Sequence, residues 1–400
     1  MLSAYLYDGL RSPFGRHAGA LASVRPDDLV AEVMKALVAR SPWAAAQIED
    51  VILGCTNQAG EDSRNVARNA VLAAGFPVSM PGQTVNRLCA SGLAAVIDAA
   101  RAITCGEGDL YLAGGVESMS RAPFVMGKAE QAYSRDVQVF DTTIGARFSN
   151  PKIIAAHGAH SMPETGDNVA HDLGISREQA DTFAAASQAK FAKAQAEGFF
   201  AGEIHPIEVP TGRKTPPRRV ETDEHPRPES TFEALARLRP LFEGGVVTAG
   251  NASGINDGAA ALLIGSEAAG EKAGVRPMAR LVSAAAAGVD PRVMGLGPVE
   301  AIRKAVARAG LTLDQLDLIE INEAFASQVL GCLKQLEVAF DDPRVNVNGG
   351  AIAVGHPLGA SGARLALTTA RELQRRQARY AVVSLCIGLG QGLALVMERV

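Results

Sequence analysis

The hydrophobic positions of this chain switch repeatedly between two periods. Residues 4–10 alternate in the manner of a strand and are broken by Arg11-Ser12-Pro13-Phe14-Gly15, whereas 26–39 carry an apolar stripe at helical spacing. Short apolar runs at 51–53 and 110–113 predict further strands, the first ending in Gly54 and Cys55 and the second running into a Gly114-Gly115 turn. Between them Asn57 to Asp62 reads as a polar loop, and a helix is expected around 66–74. A β-branched segment stops at Asn86. Leu93, Val96, Ile97 and Ala100 then recur at helical spacing as far as Cys105-Gly106, so a helix opens near Cys89.

From about 119 to 250 this alternation lapses. One helix stands out, capped by Ser176 with Gln179 three positions later and running to about Glu197. Pro216, Pro217, Pro226 and Pro228 lie among Arg213, Lys214, Arg218, Arg219 and Arg227, which excludes a core element there. The region reads as an excursion serving as a lid or ligand cap, with a solvated loop as the plainer alternative. After Asn251-Ala252-Ser253-Gly254 the alternation resumes, with strands at 260–264, 279–284, 318–321, 381–385 and 393–397. Helices are expected at 298–309, from Glu323, and after a glycine-rich turn.

The halves echo one another. Leu88-Cys89-Ala90-Ser91-Gly92 opens a helix followed by a strand and glycines, and Leu358-Gly359-Ala360-Ser361-Gly362 does the same. This predicts an α/β protein of two related layered halves, 1–118 (completed by about 251–270) and 271–400, with 119–250 inserted. The helix N-termini of both copies would then point toward one centre.

Composition narrows the possibilities. Four hundred residues suit two or three units, and 41 glycines with 5% aromatics fit close helix-to-sheet packing. A net charge of −4 from 39 basic and 43 acidic residues gives no footprint for nucleic acid or an anionic membrane. The cysteines at 55, 89, 105, 332 and 386 are odd in number and widely spaced, suggesting neither disulfides nor a metal site, and a reducing cytoplasm is expected. No signal peptide is expected at the N-terminus and no targeting tripeptide at Glu398-Arg399-Val400. No apolar stretch of membrane-spanning length is free of glycine or charge.

Four stretches carry reactive residue types. Cys89, at a strand-to-helix junction, would feel the helix dipole and ionise below the ordinary thiol value of about 8.5, unless it is merely a small buried hydrophobe. His356, in Gly355-His356-Pro357, could take the Cys89 proton or be a turn residue satisfied by backbone. Cys386 ends an apolar strand beside Gly388-Leu389-Gly390, where a thiol can act as acid/base and bare amides can hold an oxyanion. A dinucleotide turn is excluded there, because only eight residues follow Gly392. Asn322, after the 318–321 strand, could hold a water or cap a helix.

Together, N-R-L-C-A-S-G, N-E-A-F-A, G-G-A-I-A-V-G-H-P-L-G-A-S-G and C-I-G-L-G-Q-G resemble the motifs of the thiolase family in order and spacing, across the whole chain. The resemblance implies α-β-α-β-α layering and a 3-oxoacyl-CoA cleaved by CoA. It implies Cys89 as nucleophile, His356 as its activator, Cys386 as acid/base, Asn322 as holder of a water, and the amides of Cys89 and Gly388 as an oxyanion hole. It further implies CoA as substrate, with no metal or permanent cofactor, contacted by Ser253, Arg227 and Met162, and a homotetramer. This chain has Ser161-Met162 where many short-chain thiolases have His-Met, so no role attaches to His160.

A finer resemblance, to thiolases acting on 3-oxoadipyl-CoA in aromatic-acid catabolism, rests on C-T-N-Q-A-G-E-D-S-R-N-V-A-R, S-M-S-R-A-P-F-V-M-G-K, F-D-T-T-I-G and S-M-P-E-T-G-D-N-V-A. A dicarboxylic acyl chain would need a cation, with Arg64, Arg68, Arg135 and Arg147 as candidates. The competing readings are a generic acetyl-CoA acetyltransferase or fatty-acid 3-ketoacyl-CoA thiolase, and a non-catalytic acyl-CoA-binding scaffold.

Overall fold

The computed structural model describes residues 1–212 and 215–400; Arg213 and Lys214, counted above among the charges of the excursion, lie outside the described residues. Nine strands run through one continuous sheet: β1 Ala4–Arg11, β2 Asp50–Gly54, β3 Gly82–Val85, β4 Leu110–Ser118, β5 Asn256–Gly265, β6 Ala279–Gly288, β7 Leu318–Ile321, β8 Tyr380–Ile387 and β9 Gln391–Arg399. Their order is β7-β8-β9-β6-β1-β5-β4-β2-β3, with the short strand Gly15–Arg16 added on β5.

The order is one pattern used twice. In the first half β2 lies parallel between β3 and β4, and β4, β5 and β1 continue antiparallel. In the second, β7 is parallel to β8, with β8, β9 and β6 continuing antiparallel, and a lone parallel bridge from Ile319 to Val345 stands where β3 would. Three pairs, Ala4 with Leu281, Tyr5 with Arg280 and Leu6 with Ala279, join the halves.

Helices complete five layers. α1 Pro26–Arg40 and α2 Val66–Ala73 cover the outside of the first half, and α3 Ser91–Cys105 lies inside it. α4 Met162–Leu173 and α5 Arg177–Ala196 belong to the excursion. α6 Gly297–Arg308 and α7 Ala326–Gln335 cover the second half, and α8 Leu358–Arg376 joins α3 in the central layer. The segment Leu88–Cys105 has the length and apolarity of a membrane span, yet it is this central helix, buried against both sheet halves. A glycine on each of α3 and α8 is why the two backbones fit so closely there: a Cβ on Gly92 would lie 2.4 Å from the Gly359 carbonyl, and one on Gly362 2.4 Å from the Leu93 nitrogen. The N-terminal turns of the two echoing helices therefore touch.

Two expectations need correction. Gly114 and Gly115 do not turn the chain but lie inside β4, where added Cβ atoms would sit 2.0 Å from the carbonyls of Ala260 and Gly359. Close backbone approach requires glycine there. The helix expected from Glu323 begins at Ala326, with Phe325 at its N-cap position, so Asn322 is not its cap.

The excursion clasps the second half. Ser327 Oγ donates to the Gly166 carbonyl, Asn168 Nδ2 donates to Arg292, and Ser187 Oγ donates to Glu323. α4 escaped the periodicity because it is short and Gly-bearing, although Ser161 and Glu164 form the capping box that marks its start. On the other side, the fully buried Arg11 of β1 pairs with Glu203 at 2.7 Å and Asp223 at 2.6 Å.

Candidate active site

Cys89 sits in a one-turn 3-10 helix, Leu88–Ala90, between β3 and α3. Leu88 takes a positive φ of 46°, and the turn is held by local bonds: Leu88 N–H donates to Asn86 Oδ1, Arg87 N–H donates to Ser91 Oγ, and Ser91 Oγ donates to the Leu88 carbonyl. As a residue Cys89 is half-buried, whereas Cys386 is buried. Burial nevertheless pushes the Cys89 thiol up to about 11, against the lowering pull of the Gly388 and Cys89 amides. The expectation of a readily ionised thiol is thus corrected. Desolvation of a thiolate outweighs the helix end, and the sulfur needs a base beside it.

His356 is fixed in the form such a base requires. Its backbone N–H donates to Asn256 Oδ1 at 2.9 Å, and Asn256 Nδ2 donates to the Gly15 carbonyl. Ser361 Oγ donates to the Pro357 carbonyl, so at 2.6 Å from His356 Nδ1 it is left to accept. That places the proton on Nδ1 and a lone pair on Nε2. Burial, reinforced by the nearby Arg364 charge, lowers His356 to about 3, so the ring is neutral at physiological pH. Asn322 Nδ2 lies 3.4 Å from that Nε2, while its buried Oδ1 has no hydrogen-bond partner among the described residues. An amide so placed is equipped to hold a small oxygen species.

Cys386, near the end of β8, is buried with Val247, Met294, Ala324 and Phe325. Burial first, then the neighbouring Cys89 and Cys332 sulfurs, hold its thiol well above the ordinary value. Asn322 N–H donates to the Ser384 carbonyl, which ties the asparagine to the same strand end. Leu389 and Gly390, both at positive φ, close the hairpin from β8 to β9, and a Cβ on Gly388 would lie 3.4 Å from Leu88 and 4.0 Å from the Met162 sulfur.

The structure therefore gathers Cys89, Cys386, Gly388 and Met162 in one place, and ties Asn322, which faces His356, to the strand that carries Cys386. Ser253 adjoins them, its N–H donating to the Ala324 carbonyl. Arg227 stands further out on an exposed loop, its N–H donating to Gln188. Arg68 is committed to the Met80 and Val78 carbonyls, which removes it from the candidates for a substrate carboxylate.

Several site-building residues escaped the sequence reading. Asn256 and Ser361 orient His356, and buried Glu323 accepts from Ser187 and Asn346 and from the Ile352 amide, holding the chain that leads to His356. Ser361 left a trace in the repeated Ala-Ser-Gly and Glu323 in N-E-A-F-A, but neither motif announced the role.

Comparison with known proteins gives a consistent picture. The family described as "Thiolase, N-terminal domain" matches residues 4–268, and "Thiolase, C-terminal domain" matches 275–399. A protein of Escherichia coli named "3-oxoadipyl-CoA/3-oxo-5,6-dehydrosuberyl-CoA thiolase" is 57% identical over the whole of both chains. A "Beta-ketoadipyl-CoA thiolase" of Pseudomonas aeruginosa is 56% identical over 99% of each. The crystal structure of the Bacillus anthracis acetyl-CoA acetyltransferase superposes with a TM-score of 0.93 at 38% identity, over 100% of this chain and 99% of that one.

Proposed function

Given that the chain belongs to the thiolase family and is an acyltransferase, we propose that it cleaves 3-oxoadipyl-CoA with CoA, releasing acetyl-CoA and succinyl-CoA, in the breakdown of aromatic acids. The observations that carry the chemistry are Cys89, with the Gly388 amide on its sulfur and Cys386 as its neighbour, and a neutral His356 whose Nε2 faces Asn322.

Each residue then has a task. Cys89 sulfur attacks the C3 keto carbon while His356 Nε2 takes the thiol proton, which spares the buried site a free thiolate. The C2–C3 bond breaks, its electron pair moves into the thioester carbonyl, and acetyl-CoA leaves as an enolate. Donors facing that oxygen lower the barrier: the protonated His356 Nε2 and a water held by Asn322. Cys386 gives the enolate carbon its proton. CoA thiolate, formed by loss of its proton to the same acid/base, then attacks the acyl carbon on Cys89, and the amides of Cys89 and Gly388 hold the oxyanion as sulfur leaves.

The preference for the six-carbon diacid is supported by the 56–57% identity to relatives carrying that name, against 38% to the acetyl-CoA acetyltransferase structure. Ser253, Arg227 and Met162 are proposed to contact CoA. Assembly into a homotetramer is supported by exposed apolar Phe124, Met126 and Val139 on one hairpin, and residence in the cytoplasm by five free cysteines. Thioester cleavage measured with 3-oxoadipyl-CoA, acetoacetyl-CoA and longer unsubstituted 3-oxoacyl-CoAs tests the substrate. A higher kcat/KM for 3-oxoadipyl-CoA is expected, and equal or faster turnover of acetoacetyl-CoA would remove the preference.

A further inference from the structure

The two halves carry equivalent positions at their centre, and one of them is filled by a carboxylate. Aligning β2 and β4 with β7 and β8 by their pairing sets Gly54 and Gly115 against Ile321 and Ser384. Glu117 then occupies the place of Cys386, and Cys55 that of Asn322. The repeated Ala-Ser-Gly sets Gly359 against Cys89. Where the second half contributes its acid/base thiol, the first contributes a carboxyl group that is only 2% exposed.

That carboxylate is fully engaged with backbone. Its Oε2 accepts from Thr56 N–H at 3.1 Å and from Gly359 N–H at 2.9 Å, and its Oε1 accepts from Asn57 N–H at 3.1 Å. Gly359 is in the first turn of α8, three residues beyond His356. The Thr56 carbonyl accepts from Asn86 Nδ2 at 3.0 Å, and Asn86 Oδ1 in turn accepts from Leu88 N–H at 3.0 Å. One chain of hydrogen bonds thus runs from the turn bearing Cys89, through Asn86, Thr56 and Glu117, to the helix that follows His356. The titratable neighbours of Glu117 are Cys55 and Asp62 on the loop after β2 and Cys89 opposite.

We propose that Glu117 is a positioning residue for acyl transfer: it locks the nucleophile's turn in one half to the base's turn in the other. The proposal rests on the thiolase chemistry assigned above. Its carboxylate accepts two amides of the loop after β2, which Asn86 ties to the Cys89 turn, and the Gly359 amide of α8, and misplacement of a nucleophile by about 1 Å costs on the order of 100-fold. Glutamine has the shape of glutamate but one acceptor oxygen, so Glu117→Gln must turn an NH2 toward at least one of the three N–H donors.

The test compares wild type, Glu117→Gln, Asn86→Ala and the double variant. The readouts are single-turnover acetylation of Cys89 by acetyl-CoA, steady-state kcat and KM, and thermal midpoint. Wild-type Cys89 must acetylate; if it does not, the assigned chemistry is wrong rather than this inference. Acylation and kcat should fall about 10- to 100-fold in each single variant, with KM for CoA changed less than about twofold. The double variant should be no worse than the slower single one, because both cut the same chain. Wild-type acylation rates in either single variant, or losses that multiply in the double variant, would overturn the proposal. Should Glu117→Gln fail to fold, Asn86→Ala decides alone, since its turn is partly solvent-exposed and the same loss of kcat is required of it.

Discussion

At the residue scale, burial decides the chemistry of the reactive centre. The thiol of Cys89 is pushed up to about 11 and the imidazole of His356 down to about 3, so the resting pair is neutral and sulfur is activated only as a proton leaves. Iodoacetamide labelling reads this out. In His356→Asn the alkylation rate should climb about tenfold per pH unit between pH 7 and 10, because the thiolate fraction grows that way below its pKa. A plateau near pH 8.5 would mean an unperturbed thiol. Asn322→Ala, which removes the proposed holder of a water, should lower kcat on the order of 10² to 10³ with little change in KM for CoA, as steady-state kinetics will measure. Cys89, His356 and Cys386 stand out in the sequence as candidates because sulfur and imidazole beside glycine-rich turns are chemically conspicuous. The roles of Asn256 and Glu323 were not legible there, because each acts through bonds to residues far away in sequence, 100 residues in the case of Asn256 and His356 and 136 in the case of Glu323 and Ser187.

At the scale of elements, most strands and helices were legible, since long apolar periods such as 26–40 and 318–321 leave few alternatives. The failures share a cause. Gly114-Gly115 was read as a turn, yet tertiary contact, not local conformation, demands glycine inside β4. Gly115→Ala should therefore destabilise the fold by about 3 kcal/mol or more in urea unfolding, because the new methyl meets two backbone oxygens that cannot retreat. A loss below about 1 kcal/mol would show that the central layer is looser than described. The start of α7 was likewise misplaced, and the difference matters: Asn322 is released from capping and faces His356.

At the scale of the whole molecule, a doubled pattern brings its two central helix N-termini together and a clasp from the excursion holds them. Arg11 is the anchor of that clasp on the first half, gripping Glu203 and Asp223 from complete burial. Arg11→Met would strand two carboxylates in the interior and should cost about 3–5 kcal/mol, measured by urea unfolding. The repeat was visible as a faint echo of five residues, whereas the sheet that runs unbroken through both halves was not, because strand pairing between distant segments has no local signature. The proposed product of this architecture is a covalent acyl-enzyme at one sulfur. Mass spectrometry of the enzyme mixed with 3-oxoadipyl-CoA in the absence of free CoA measures that directly. A single succinyl group on the peptide bearing Cys89, discharged on adding CoA and absent in Cys89→Ser, is the expected result; no adduct, or an adduct that persists on another residue, would contradict the account.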